Sequence, residues 1–204
     1  EFDSRFQDFL KDQIGPALDG LKSWRASLKK ALEGAREKDW DAVIEPALEA
    51  KETYPQYIGS GNSYVLLSEA YEQADKRDEA IDELLAYERL GGRTPDTLKK
   101  LADWLEQAGR AKEAIDVYDG IIYNWPQDED IHSRMGTLLF DAGDFRRAAR
   151  EFSAVLALDP LNKADANYNL ARAYDKMGDR RKARRHVLFA LENAPTFGPA
   201  LKLL

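Results

Sequence analysis

Apolar residues in this chain return at intervals of three and four, as in Tyr64, Leu67 and Tyr71 and again in Ala80, Leu84 and Tyr87. That spacing lines one face of an α-helix and does not fit the alternation of a strand. The pattern itself recurs every 34 or 35 residues. Leu67, Leu101, Met135 and Leu170 share one register, Ala80, Ala114, Ala148 and Ala183 a second, and Leu84, Tyr118, Phe152 and Val187 a third. Tyr87, Ile121, Val155 and Ala190 make a fourth. Each period therefore predicts two amphipathic helices packed as a hairpin. One hairpin cannot bury its apolar face alone, so neighbouring periods have to stack.

The residues between helices agree with this reading. Gly109, Gly143 and Gly178 fall at matching places inside three periods, where a residue of positive φ ends the first helix without a Cβ clash, and Asp75 stands at that place in the first clear period. Pro126, Pro160 and Pro195 close three periods because proline lacks the amide donor a continuing helix needs, and Gly91-Gly92 makes the break in the other. Ser68, Ala102, Gly136 and Ala171 follow the first-helix apolar residues, and their small size lets paired helices approach closely.

With these residues in place the pattern resembles the tetratricopeptide repeat. Its clearest copy is Asn167-Tyr168-Asn169-Leu170-Ala171 with Tyr174, Gly178-Asp179, Ala183, Ala190 and Pro195. The resemblance implies an all-α fold, a right-handed α-α superhelix of stacked antiparallel hairpins. Four repeats are expected over residues 61–195, at 61–94, 95–128, 129–163 and 164–195. Residues 196–204 read as a capping half-repeat. Residues 16–60 read as a degenerate hairpin, with Trp24, Leu28, Ala31, Leu32 and Ala35 on its first helix and Pro46 bending its second. Phe2, Phe6, Phe9, Leu10 and Ile14 predict a separate N-terminal helix over residues 1–15, stopped by Gly15, with Pro16 opening the next.

Composition narrows the chemistry. The 204 residues contain no cysteine, which removes disulfides, thiol nucleophiles and thiolate metal sites and fits cytoplasm and periplasm equally, so the compartment stays unassigned. The two histidines, His132 and His186, sit in different repeats and form no metal-binding pair; they read as structural. No phosphate-binding glycine loop, serine elbow or dinucleotide fingerprint is present, and no catalytic residue, metal or cofactor is assigned. Trp24, Trp40, Trp104 and Trp125 read as core residues. A non-catalytic scaffold for protein–protein interaction is the expected function.

The family resemblance also implies where a partner docks, since first helices of successive repeats line a concave groove. By register the partner-binding set is Asn62, Val65, Glu69, Glu72 and Gln73 in the first repeat, and Lys99, Asp103 and Glu106 in the second. Thr137, Phe140 and Asp141 follow in the third, and Tyr168, Arg172 and Asp175 in the fourth. Carboxylates outnumber cations in this set, which favours a basic or amide-rich peptide, and Val65, Phe140 and Tyr168 supply apolar anchors. Lys99 is followed one turn later by Asp103, so recognition of an acidic C-terminus is not expected.

Charge is divided along the chain. Residues 61–128 hold 8 bases and 15 acids, a net of −7, whereas residues 129–204 hold 13 bases and 10 acids, a net of +3. Arg146, Arg147 and Arg150, then Arg180, Arg181, Lys182, Arg184 and Arg185, form a basic stripe on second helices. Without interleaved aromatics it reads first as a solvated face, with nucleic acid or anionic lipid as the alternative. The overall charge of −7 argues against general nucleic-acid affinity, and neither nucleic acid nor membrane is the expected partner. Finally, Phe2-Asp3-x-x-Phe6-x-x-Phe9-Leu10 resembles the closing helix of zinc-dependent peptidase domains that precede helical repeats in secreted bacterial proteins. With Glu1 in place of an initiating Met, the resemblance makes the chain a non-catalytic C-terminal module of such an enzyme, an alternative to the free-standing scaffold.

Overall fold

The computed structural model describes residues 2–204, with the side chains of residues 5, 6, 9 and 18–204. The described residues form helices and no strands: α1 (Phe2–Glu37), α2 (Asp41–Thr53), α3 (Ser63–Gln73), α4 (Arg77–Arg89), α5 (Pro95–Gln107) and α6 (Ala111–Asn124). They continue as α7 (Glu129–Asp141), α8 (Phe145–Ala157), α9 (Lys163–Lys176), α10 (Arg180–Asn193) and α11 (Gly198–Leu203). Two compact units divide the chain, Glu1–Trp104 and Leu105–Leu204.

One turn chemistry recurs at five hairpins. The N–H of Arg110 donates to the Leu105 carbonyl (2.8 Å) and that of Gly109 to Glu106 (2.9 Å), which satisfies carbonyls the end of α5 would leave orphaned. The same double bond closes α1 at Lys38-Asp39, α3 at Asp75-Lys76, α7 at Gly143-Asp144 and α9 at Gly178-Asp179. It requires a left-handed residue, and the φ values at Gly109, Gly143 and Gly178 are 70°, 81° and 78°. Asp75 and Lys38 take the same conformation with φ of 58° and 59°. Asp144 and Asp179 then cap the following helices, accepting from Arg147 N and Lys182 N at 3.1 Å each.

In the first unit α1 packs on α2, α2 on α3 and α3 on α4. Leu28, Ala31, Val43, Ala47, Leu66, Leu67 and Ala70 form one core, with Trp24, Trp40 and Tyr57 against it. In the second unit α6 packs on α7, α7 on α8, α8 on α9 and α9 on α10. There Ala171, Val187, Ala190 and Ala200 close the last core, with Tyr168 and Phe197 beside it. The small-residue register has a steric reason at Gly136, where a Cβ would lie 2.6 Å from the Phe152 ring.

Three expectations need correction. No break separates residues 1–15 from the next segment, because α1 runs unbroken from Phe2 to Glu37 through Gly15 and Pro16. A proline removes one intrahelical bond, which a helix of 36 residues can absorb. The side chains of Phe2, Leu10 and Ile14 lie outside the described ones. Pro46 sits inside α2, the second helix of that first hairpin. Trp125 is not a core residue: it is the C-cap of α6 and is exposed. Asn62 is buried, as described below.

Candidate functional site

The residues assigned to the partner-binding surface fall on α3, α5, α7 and α9, and the structure sorts them into different roles. Asn62 is removed from the surface. Its Oδ1 accepts from Val65 N (3.1 Å), its Nδ2 donates to the Gly59 carbonyl (2.9 Å), and it is buried as the N-cap of α3. Val65, Glu69 and Glu72 are half-buried and Gln73 is exposed. Burial is the first cause that pushes the Glu69 carboxyl above its usual range; Lys100 opposes the shift and Glu72 adds to it.

Glu72 and Glu106 are tied into the fold. Lys100 Nζ donates to Glu72 Oε2 and lies 4.7 Å from the centre of the buried Trp104 ring, which Arg77 also covers at 4.6 Å. One repeat later, Arg134 bridges to Glu106 (2.9 Å) and stands 5.7 Å from the Tyr118 ring, whose hydroxyl also donates to Glu106. Both ion pairs join residues 28 positions apart. Lys99 and Asp103 are half-buried on α5.

At the next repeat the same register holds Phe140 and, because that step is 35 residues (Met135 to Leu170), Asn169, so the third ion pair is absent; Tyr168, one residue earlier, stands at the register of Lys99. Phe140 thus occupies the place the carboxylate fills earlier and Tyr168 lies next to the place of the cation, neither ring fully buried. Arg172 lies on them both, its guanidinium 4.2 Å from the Phe140 ring centre and 5.7 Å from that of Tyr168. Such stacking fixes a planar cation at a specific angle. Arg172 also donates to Asn169 Oδ1 at 3.3 Å, and no carboxylate among the described residues pairs with it. Phe145 supports Phe140 edge-on (5.2 Å) and Phe197 supports Tyr168 (5.5 Å). Thr137, Asp141 and Asp175 are exposed on the same two helices; Thr137 Oγ1 bonds back to the Ser133 carbonyl (3.0 Å).

Sequence reasoning missed Lys100, Arg134, Phe145 and Phe197. The pairs Glu72/Lys100 and Glu106/Arg134 carried a readable signal, opposite charge repeated at a fixed offset. Phe197 carried none, because its contact depends on how the segment after Pro195 folds back onto α9.

The histidines are buried inside their hairpins. His132 Nδ1 lies 2.8 Å from Glu151 Oε2, and its Nε2 donates to the Pro126 carbonyl (3.1 Å). His186 Nδ1 meets Asn167 Oδ1 at 2.9 Å. Burial, aided by Arg185, lowers its pKa below the ordinary histidine value. Among the described residues no group of three or more His, Cys, Asp or Glu is arranged to hold a metal ion, and no helix is long and apolar enough to cross a membrane.

Stacked helical hairpins of this kind define the helical-repeat proteins. Within that class, residues 65–129 and 139–204 each match a family model described as tetratricopeptide repeat, so the chain is built of tetratricopeptide repeats over both segments. A stretch of 99 residues is 27% identical to the inactive TPR repeat-containing thioredoxin TTL3 of Arabidopsis thaliana, covering 48% of this chain and 14% of that protein. The chain thus matches only a small part of that relative's length. Among solved structures, YrrB, described as a TPR protein with an unusual peptide-binding site, superposes with a TM-score of 0.60 at 21% identity, covering 93% of this chain and 96% of YrrB. MamA superposes with a TM-score of 0.56 at 17% identity, covering 85% of this chain and 93% of MamA. At these identities the likeness establishes the fold. The resemblance of residues 2–10 to a peptidase helix finds no support in these matches.

Proposed function

We propose that this chain is a non-catalytic protein-interaction scaffold that holds a peptide segment of its partner on the first-helix surface of α7 and α9. Phe140, Arg172 and Tyr168 form the anchor. One observation carries the reading: beside the place where ion pairs join earlier first helices, the last two repeats present two half-exposed aromatic rings sharing one guanidinium. Aromatic and arginine side chains of this kind supply most of the energy of a typical interface. Asp141 and Asp175, exposed and without ion-pair partners among the described residues, favour a basic or amide-rich neighbour to the apolar side chain that meets the rings. YrrB, of the same fold, is described by its peptide-binding site.

The test is recovery and titration of bound partners with the intact chain against Phe140→Ala and Tyr168→Ala. Losing a central aromatic contact of about 2 kcal/mol weakens binding roughly 30-fold. Equal affinity of the intact and substituted chains, with unchanged helical content, refutes the assignment. Tight binding of an acidic C-terminal peptide would contradict the expected preference.

A further inference from the structure

The structure divides the basic stripe into two parts that behave differently. On α8 two of the three arginines are engaged, Arg147 with Asp119 (2.6 Å) and Arg150 with Glu151 (2.8 Å), and Arg146 is exposed. On α10 only Lys182 is engaged, with the capping Asp179 (3.1 Å). Arg180, Arg181, Arg184 and Arg185 are all exposed and make no ion-pair contact among the described residues, although the charge of Arg181 reaches the capping Asp179. Together with Leu188 they line a shallow cleft of about 490 Å³.

This arrangement opposes helix stability in two ways. Arg180 and Arg184, like Arg181 and Arg185, are like charges one turn apart, which destabilises a helix. They also crowd the N-terminal half of α10, where the helix dipole disfavours cations. A face that only had to be wetted would mix its charges. Arg184 is further singled out by register: the equivalent residues of the three preceding repeats, Ile81, Ile115 and Ala149, are apolar and buried. One turn beyond the arginines, Leu188 and Phe189 are 44% and 40% exposed. Three turns of one helix therefore run from four exposed cations to two exposed apolar side chains.

We propose that this face of α10 is a docking surface for an anionic phospholipid bilayer, with the arginines on headgroup phosphates and Leu188 and Phe189 at the acyl boundary. Charge complementarity selects an anion, and the adjoining apolar pair favours an interface over a free polyanion. Single-stranded nucleic acid prefers aromatic platforms interleaved with the bases it binds, and Phe189 alone provides none along the arginine turns. The surface is separate from the Phe140–Arg172–Tyr168 site and does not depend on that reading.

Flotation with vesicles tests it, comparing phosphatidylcholine alone with phosphatidylcholine containing a third of phosphatidylserine, at physiological ionic strength. The chain should float with the anionic vesicles and stay behind with the neutral ones. Each arginine near an anionic surface changes partitioning roughly fivefold, so R181E with R185E should lower it by at least roughly 25-fold. Arg181→Lys with Arg185→Lys should retain it, and Leu188→Ser should weaken it. Both positions are exposed, and unchanged helical circular dichroism checks that the variants fold. Absence of flotation overturns the proposal. So does tighter binding of a mixed-sequence oligonucleotide with Leu188→Ser indistinguishable from the parent, which would make the face a nucleic-acid surface.

Discussion

His132 and Glu151 in one repeat correspond by register to Asn167 and His186 in the next, so the same two buried positions hold a hydrogen-bonded polar pair both times. In the preceding repeat they are Leu98 and Val117, both apolar and buried. Burial tolerates either solution and penalises a mixed one, since an unpaired buried polar group costs about 1–3 kcal/mol. His186 also gives a pH dependence. Its pKa is lowered in the folded chain, so below the ordinary value of 6.5 the unfolded chain takes up a proton that the folded one refuses. Stability from this group is therefore complete above that value and falls as the pH drops. In urea unfolding between about pH 7.5 and pH 5, the parent should lose more stability than His186→Gln; parallel losses would show that His186 plays no part. At the proposed binding surface, reading Phe140 and Tyr168 from register was possible because both lie at regular helical positions. The burial of Asn62 was not, because the same residue type serves equally as a cap or as a contact, and only its bonds to Val65 and Gly59 decide.

Hairpin turns carry most of what makes the elements readable. Gly109, Gly143 and Gly178 meet a backbone demand that few other residues satisfy, so their spacing by itself locates the turns. Asp75 meets the same demand at a steric cost. Asp75→Gly should therefore raise stability by roughly 0.5–1 kcal/mol, whereas Gly143→Ala should lower it by a similar amount. A urea midpoint that falls for Asp75→Gly would contradict the turn assignment. The N-terminal helix is the opposite case. Gly15 and Pro16 looked like a boundary, but local propensity only raises the free energy of continuing a helix and does not forbid it, and α1 continues to Glu37.

At the scale of the molecule, repeats touch only their neighbours, so stability is local and roughly additive. Helix α11 covers Ala171, Val187 and Ala190 with Ala200. Removing residues 198–204 should speed amide exchange in α9 and α10 and leave α1 to α4 unchanged; uniform acceleration along the chain would argue for one cooperative block instead. Periodicity, turn residues and small-residue registers determined the helical hairpins and their order from sequence alone, because each is a short-range constraint that a few residue types satisfy. Which charges pair was decided by tertiary structure. Glu72 and Glu106 meet cations of the next first helix while Arg172 rests on aromatic rings instead of a carboxylate, and that difference follows from distances between side chains on separate helices. Residue type sets what a group can bind, and only packing sets what is left for a partner.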